Sequence, residues 1–567
     1  MSLTKVSYSM ILGASANILD FGAIGDGVTN DTVAVQAAIN SGAANIIYPK
    51  GNYLVGQLTL VSNQNHVGEG GTLVSSNPSA NMMSGISVSN LSFKGLNFNS
   101  TGVAVSCIAV QGTLTPASNC SNILVDGCSC IGGIQLFSTY QPSGSVYSTI
   151  TNQMLSTNIR IVNNSVFGTT ATLSGGGLGA IALYYATDCA VANNMIVSQV
   201  HGIFLWGGDG SGTDWAITNE RKCYRITVTG NVIRNIQGGG IVGNMCKEVA
   251  ATGNVVEYCT DVGIDWESCF DCVASGNYLL DCINGALVTY NVVHGILFSG
   301  NKCSSSVANR NITMHNNTVG APLAQVRDVS YIGNTFECTA SLTGSMGVCY
   351  VSDTEVSGTP VNPVQNIVCS SNTFINCAVR HKGDNLRQAS YIGNTFFYAF
   401  ATGAAFNALE SYNAQGGVTI SGNTFNILAT CPATTNAIYV SSYSFGLSVV
   451  NVIQNNSMMA ASGAAWGCAI QCIDGGGSSP TYYTLSNNTF AANIKVNASG
   501  NTYVKAINNT DYGGAPYPYF TSPATFPADA WWEVGQIAYA NSGASAGYIG
   551  AVCTVKGTTW KTFGLIS

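Results

Sequence analysis

Apolar and polar residues alternate in short runs that return at a nearly fixed interval. Between residues 223 and 303 the chain reads ITVTGNVIRN, EVAATGNVVEYC, DCVASGNYLLDC and HGILFSGNKC, with Gly-Asn pairs beginning at 230, 253, 276 and 300. The steps are 23, 23 and 24 residues. A β-branched run flanks each pair, and about ten residues later comes another run opened by Gly (GGIVGN, VGIDWE, NGALVT). No helical periodicity intervenes. Two or three short strands per repeat predict one coil of a parallel β-helix, hydrogen-bonded to the next coil at about 4.8 Å.

Weaker copies extend the pattern both ways: Asn163-Asn164, Asn193-Asn194, Gly333-Asn334, Asn372, Gly393-Asn394, Gly422-Asn423, Asn487-Asn488 and Gly500-Asn501. Their irregular spacing after 301 predicts loops between coils. Stacking the repeats makes an Asn ladder of Asn231, Asn254, Asn277 and Asn301 at a turn, where Asn tolerates left-handed backbone and bonds its neighbours above and below. Solenoid ends need protection from edge pairing. At the N-terminal end, Asp31 followed by TVAVQAAIN reads as a capped helix that plugs the barrel. At the other end Pro516, Pro518, Pro523 and Pro527 mark a break. The expected organisation is therefore a joint and capping segment (1–50), an all-β body of right-handed parallel β-helix carrying substrate binding and catalysis (51–510), and a small C-terminal β module (511–567).

Composition narrows the function. Charged residues are 8% of the 567, while hydrophobic residues reach 46% and the net charge is -7. Lys and Arg are scattered singly, so no basic stripe for nucleic acid exists. No stretch reaches the ~18 apolar residues of a membrane helix, and Met1 to Met10 show no secretory signal. Cytosolic synthesis follows, and the 20 Cys are expected to be free thiols. Cys223, Cys246 and Cys269 fall in one column, and Cys259 and Cys282 in another. With no recurring CxxC and only 5 His, they read as small buried hydrophobes; no metal or other cofactor is expected.

The segment NILDFGAIGDGVTNDTVAVQAAIN (17–40), followed by NIIYPKGNYLVG (45–56), resembles the start of pectate-lyase-like β-helices. LTKVSYSMI (3–11) resembles the joint that links a virion-attachment part to such a β-helix in phage tail proteins, and 531–564 is similar to a small β module closing many phage and prophage proteins. The family indicated is that of bacteriophage tailspikes, the depolymerases of capsule or O-antigen. The resemblance implies a homotrimer in the virion tail, made in the host cytoplasm, partnered by other tail or baseplate proteins and acting on bacterial surface polysaccharide. The attachment domain that would precede this joint is not seen in the sequence, which reads either as a truncated chain or as a spike docked to another spike.

A polysaccharide groove belongs on an outward strand face, where successive coils align their side chains. Matching the Gly-opened strands puts Ile203 and Leu205, Ile241 and Gly243, Ile264 and Trp266, and Ala286 and Val288 inward. The opposite face then carries Phe204, Trp206, Asn244, Asp265, Glu267 and Thr289, with Tyr184 at the near end. Glycoside hydrolysis commonly uses two carboxyl groups across the scissile bond. Asp265 and Glu267 lie roughly 6.5–7 Å apart along one strand, within reach of either retaining or inverting chemistry. They are the expected catalytic pair, and the rings offer apolar faces to sugar C–H groups.

The segment Gly207–Lys222 leaves the solenoid beside Trp206 and brings Asp209, Asp214, Trp215, Glu220 and Arg221; it reads equally as a wall of the site, with one catalytic carboxylate to offer, and as a plain decorative loop. Glu248 and Asp271, in one column below Arg225, read as a structural charge ladder. Arg380, His381, Lys382, Asp384 and Arg387 read as a charge-rich loop that offers an alternative site between subunits. His201 reads as a packing histidine, and Asp261, Asp281, Asp353, Glu355, Asp384 and Glu410 as carboxylates that are isolated or in loops. The hydrolase competes with a polysaccharide lyase, whose proton abstraction favours Lys, Arg, Tyr or His bases, and with a tail adhesin that binds without cleaving. The acidic, aromatic stripe favours hydrolysis.

Overall fold

The computed structural model describes residues 15–565 apart from 78, 101–105, 133–134, 169–178, 210–219, 308–310, 317–325, 340–346, 354–363, 383–385, 400–404, 415–416, 429–431, 433, 443–448, 475–479, 501, 521–530, 541–547 and 557–558. The chain is a right-handed parallel β-helix whose coils form two compact units, Met1–Ile283 with Leu287–Val292 and Asn284–Ala286 with Val293–Ser567. Each repeat supplies three strands. In the first unit one coil is Cys246–Thr252, Val255–Cys259 and Val262–Glu267.

Coils stack in the register that the Gly-Asn repeat predicts. Cys223 pairs with Cys246, Ile226 with Val249 and Val228 with Ala251. Alternation sends Ile226, Val228, Val249 and Ala251 inward, all at 1% exposure or less. Every described cysteine is buried and free of disulfides.

The Gly-Asn turn divides its work differently from the expectation. The first residue takes the left-handed conformation: Gly230, Gly253 and Gly276 have φ of 66°, 63° and 62°, where a Cβ is costly. The second residue forms the ladder. Asn231 Nδ2 donates to Asn254 Oδ1 at 3.0 Å and to Val191 O at 3.0 Å, while Asn254 Oδ1 also accepts from Asn231 N. Each amide thus satisfies backbone groups that the turn would otherwise bury unpaired. The second unit repeats this from Asn301 through Asn334 to Asn372.

Both ends are closed. The helix Thr32–Ile39 buries Val35, Ala38 and Ile39. Asp31 does not cap it; its carboxylate accepts from Ile24 N and Gly25 N instead, while Asn30 Oδ1 accepts from Thr32 N. In the second unit, Val504 N donates to Trp531 O. The Gln536 amide serves both backbone groups of Ala506, accepting from its N–H and donating to its carbonyl at 2.7 Å each. These contacts occupy a coil edge that would otherwise pair with another chain. The C-terminal sheet comprises Tyr519–Phe520, Ile537–Ala540, Tyr548–Val555 and Thr559–Leu565.

Candidate functional site

The third strand of each coil in the first unit ends on an outward residue, and these residues stack. Tyr184 pairs with Trp206, Trp206 with Asn244, and Asn244 with Glu267. The residue following each is Tyr185, Gly207, Met245 or Ser268; Tyr185, Met245 and Ser268 have φ of 49°, 48° and 50°. The chain therefore turns its corner just past the ladder, which fixes where each ladder side chain leaves the wall.

Rings occupy one end of this ladder. Tyr140 and Tyr184 stack with centroids 6.2 Å apart and 10° between planes, and Tyr184 lies 6.3 Å from Trp206 at 47°. All three are half-buried, so part of each ring reaches the surface. Phe204, expected as an exposed contact, is instead 4% exposed. It lies beneath Tyr184, Trp206 and His201, with centroids 5.9, 5.7 and 5.5 Å away, and holds those rings in place.

Carboxyl groups occupy the other end. Asn244, 4% exposed, donates from Nδ2 to Glu267 Oε2 at 2.7 Å. Two residues earlier on the same strand, Asp265 sits beside Val242, which is 6% exposed. Ser268 N donates to Tyr290 O as Met245 N does to Glu267 O, a register that places Tyr290 next to Glu267 and Val288 next to Asp265. This coil therefore sits one residue out of the register that its opening Gly predicts. Thr289, expected on the outer ladder, is inward at 1% exposure, and Tyr290 continues the ladder.

This apolar setting decides the state of Asp265. Its side chain is half-buried, with Oδ1 fully enclosed and without a hydrogen-bond partner. Burial raises its carboxyl well above the ordinary aspartate value, and the charges of Glu267, Cys269 and Asp261 push it further. Glu267, by contrast, has a hydrogen-bond donor directed at a carboxylate oxygen. Two carboxyl groups in unlike environments on one strand are the arrangement that separates an acid from a base.

The inward side of the strand explains the local sequence. Trp266 is fully buried, and its ring fits because Gly243 faces it; a Cβ at Gly243 would lie 2.8 Å from Trp266 Cε3. Asp261 lies in the bend that directly precedes the strand Val262–Glu267, and its charge adds to the raising of Asp265 and opposes the lowering of His201. His201 Nδ1 accepts from Gly239 N at 2.9 Å. Burial lowers the His201 pKa, which leaves a neutral ring with its proton on Nε2. Tyr140 and Tyr290 lie outside the expected ladder: Tyr140 ends a strand that opens on Gln135, and Tyr290 stands one place past Thr289 in the run opened by Gly285.

The insertion is described only at its base; Asp214 and Trp215 lie outside the described residues. Asp209 is half-buried and Glu220 exposed. Arg221 donates from Nε to Ser268 O at 2.6 Å and stacks over Phe270, and Lys222 Nζ donates to Tyr147 O and Ile150 O at 2.7 Å each. The base is thus tied to the corner that follows Glu267. A cleft of about 430 Å³ opens here, lined by Arg221, Lys222, Arg225, Lys247 and Glu248 among others. Asp265 and Glu267 are not among its walls. Arg225 pairs with Asp188 at 2.6 Å, and Glu248 with Lys247 at 3.1 Å, so these charges mostly satisfy one another.

In the second unit, Arg380, His381 and Lys382 belong to the strand Cys377–Lys382, not to a loop. His381 is fully buried, with Nδ1 2.8 Å from Tyr391 Oη. Asp384 lies outside the described residues.

No protein-family profile matches the chain. A 66-residue stretch is 44% identical to mannuronan C5-epimerase AlgE2 of Azotobacter vinelandii, a match that spans 10% of this chain and only 7% of that relative. Among solved structures, pre-mature gene product 12 of bacteriophage phi29 aligns at 13% identity over 87% of this chain and 73% of that one, with a TM-score of 0.52. This is a likeness of fold. The Family 28 exopolygalacturonase of Yersinia enterocolitica aligns at 16% identity over 71% of this chain and 78% of that one, with a TM-score of 0.47.

Proposed function

We propose that this chain is a phage tailspike depolymerase, an endo-glycosidase that hydrolyses a bacterial surface polysaccharide, capsule or O-antigen, during host recognition. One observation carries the reading. Asp265, which burial inclines to hold its proton, stands two residues from Glu267, a carboxylate oriented by Asn244. In this mechanism Asp265 protonates the leaving glycosidic oxygen. Glu267 serves as the ionised partner, as base toward water or as nucleophile. Tyr140, Tyr184 and Trp206 stack on sugar rings bound further along the ladder, at one coil spacing per step. The sequence resemblance supports a homotrimer in the virion tail.

The test is incubation with capsule and O-polysaccharides from a panel of bacterial strains on which the protein clears lawns. The proposal predicts shorter chains with new reducing ends and no ultraviolet absorbance from unsaturated uronate. Such absorbance would indicate a lyase. Binding without shortening across the panel would indicate an adhesin.

A further inference from the structure

The second unit carries its own outward ladder on the corresponding strands. Arg380 pairs with Glu410, Glu410 with Tyr439, Tyr439 with Gln471, and Gln471 with Asn497. Arg380, Glu410, Tyr439 and Gln471 are half-buried and Asn497 is exposed. Their inward neighbours Val379, Leu409, Ile438 and Ile470 are fully buried. In a chain with 8% charged residues, an Arg–Glu pair on a strand wall next to Tyr and two amides is a concentrated polar feature.

The ladder is internally ordered. Arg380 Nε lies 3.5 Å from Glu410 Oε2, and Asn407 Nδ2 donates to the same oxygen at 3.1 Å. Asn436 donates to Asn407 Oδ1 at 2.7 Å, and Asn497 donates to Gln471 Oε1 at 2.8 Å. Beside it runs a second outward column of small residues, Ala378, Ala408, Ala437 and Ala469, each 2% exposed or less. The register continues this column to Lys495, which lines a cleft of about 560 Å³ that also includes Asn493, Asp511 and Tyr512. Tyr512 is 60% exposed. The ladder thus ends at Asn497, two residues from Lys495 and the cleft that Lys495 borders.

We propose that this surface is a second, non-catalytic glycan-binding site, which holds an extended, hydroxyl-rich polysaccharide strand across the coils. The chemistry fits that ligand. Amides, guanidinium and carboxylate present paired donors and acceptors to vicinal hydroxyls, and Tyr439 offers an apolar face. The ladder has a single carboxylate, already engaged by Arg380 and Asn407, so it lacks the acid pair that hydrolysis needs. The surface binds and does not cut.

The probe is a printed array of bacterial capsular and O-polysaccharides, and the protein is the full chain with Asp265→Asn and Glu267→Gln, so that cleavage does not erase the signal. The expected result is capture of one or more glycans that falls about tenfold, a change worth about 1.4 kcal/mol, when Tyr439→Ala or Gln471→Ala is added without loss of melting temperature. In the otherwise native chain, the same substitutions leave reducing-end release from short oligosaccharides unchanged. An array that captures nothing, or capture that both substitutions leave intact, overturns the second site. Loss of release from short oligosaccharides also overturns it, by showing that these residues act in cleavage. Failure of the Asp265–Glu267 reading would instead appear as no release by the native chain, or as release at the native rate by Asp265→Asn and Glu267→Gln, whatever the array shows.

Discussion

Asn244 donates a 2.7 Å hydrogen bond to Glu267 of the next coil, and each ends its strand just before a left-handed corner residue. The bond fixes one carboxylate oxygen while Asp265 sits among valines with no donor on Oδ1. The two acids of one strand therefore differ because their neighbours on adjacent coils differ.

Removing that donor should impair turnover more than binding. A hydrogen bond to a charged group contributes about 1.5–3 kcal/mol, so Asn244→Ala is expected to lower kcat by about tenfold or more, with KM little changed. Steady-state kinetics on the cleaved polysaccharide checks this, and a rise in KM alone would move Asn244 from orienting Glu267 to holding substrate.

The buried acid carries a stability cost with a definite sign. The folded-state value of Asp265 is raised above the unfolded value of about 3.9. The folded state therefore binds more protons above that pH, and the contribution present in acid is lost as pH rises toward the folded value. Asp265→Asn should raise the melting temperature at neutral pH, with an advantage that shrinks as pH falls to about 4. Melting curves of both proteins across pH 4–8 test it (an order-of-magnitude window set by these pKa values). A variant less stable than the parent at neutral pH would contradict the placement of Asp265.

Ring stacking should appear mainly in KM. Trp206 and Tyr184 stand one coil apart on the outer wall, and aromatic contacts of this kind contribute about 0.5–1.5 kcal/mol beyond buried area. Trp206→Ala is expected to raise KM several-fold while leaving kcat within about twofold. Phe204→Ala should act differently, because Phe204 is buried beneath the rings. It should lower the melting temperature as well as raise KM.

The inward fit at the same coils is equally testable. A Cβ at Gly243 would meet the buried Trp266 ring at 2.8 Å, and overpacking of this kind costs about 1–3 kcal/mol. Gly243→Val is expected to lower the melting temperature and, by displacing the strand that holds Asp265 and Glu267, to lower activity with it. An unchanged melting curve would mean that the strand yields without cost.

Much of the fold was legible in the sequence because one coil's needs recur at every coil. The Gly-Asn pairs marked the turn, and period-two runs marked the walls. What the pattern could not supply was the register of a coil whose opening Gly has shifted. Gly285 begins its strand one place away from Gly263, so the pattern predicts Thr289 on the ladder where Tyr290 stands. Nor could alternation separate an outward residue from an exposed one. Phe204 points outward yet is covered, because its neighbours are larger rings. Asp261 and the orphaned oxygen of Asp265 depend on side chains from several coils meeting, and no local spacing encodes that.

The central claim is that Asp265 and Glu267 together break the glycosidic bond. The most direct test is the rate of reducing-end release by Asp265→Asn and Glu267→Gln, each shown by sedimentation and melting to keep the native assembly. The account predicts that each lowers the rate by about 10² or more, with glycan capture retained. Native rates in both variants would contradict it and place the chemistry elsewhere on the chain.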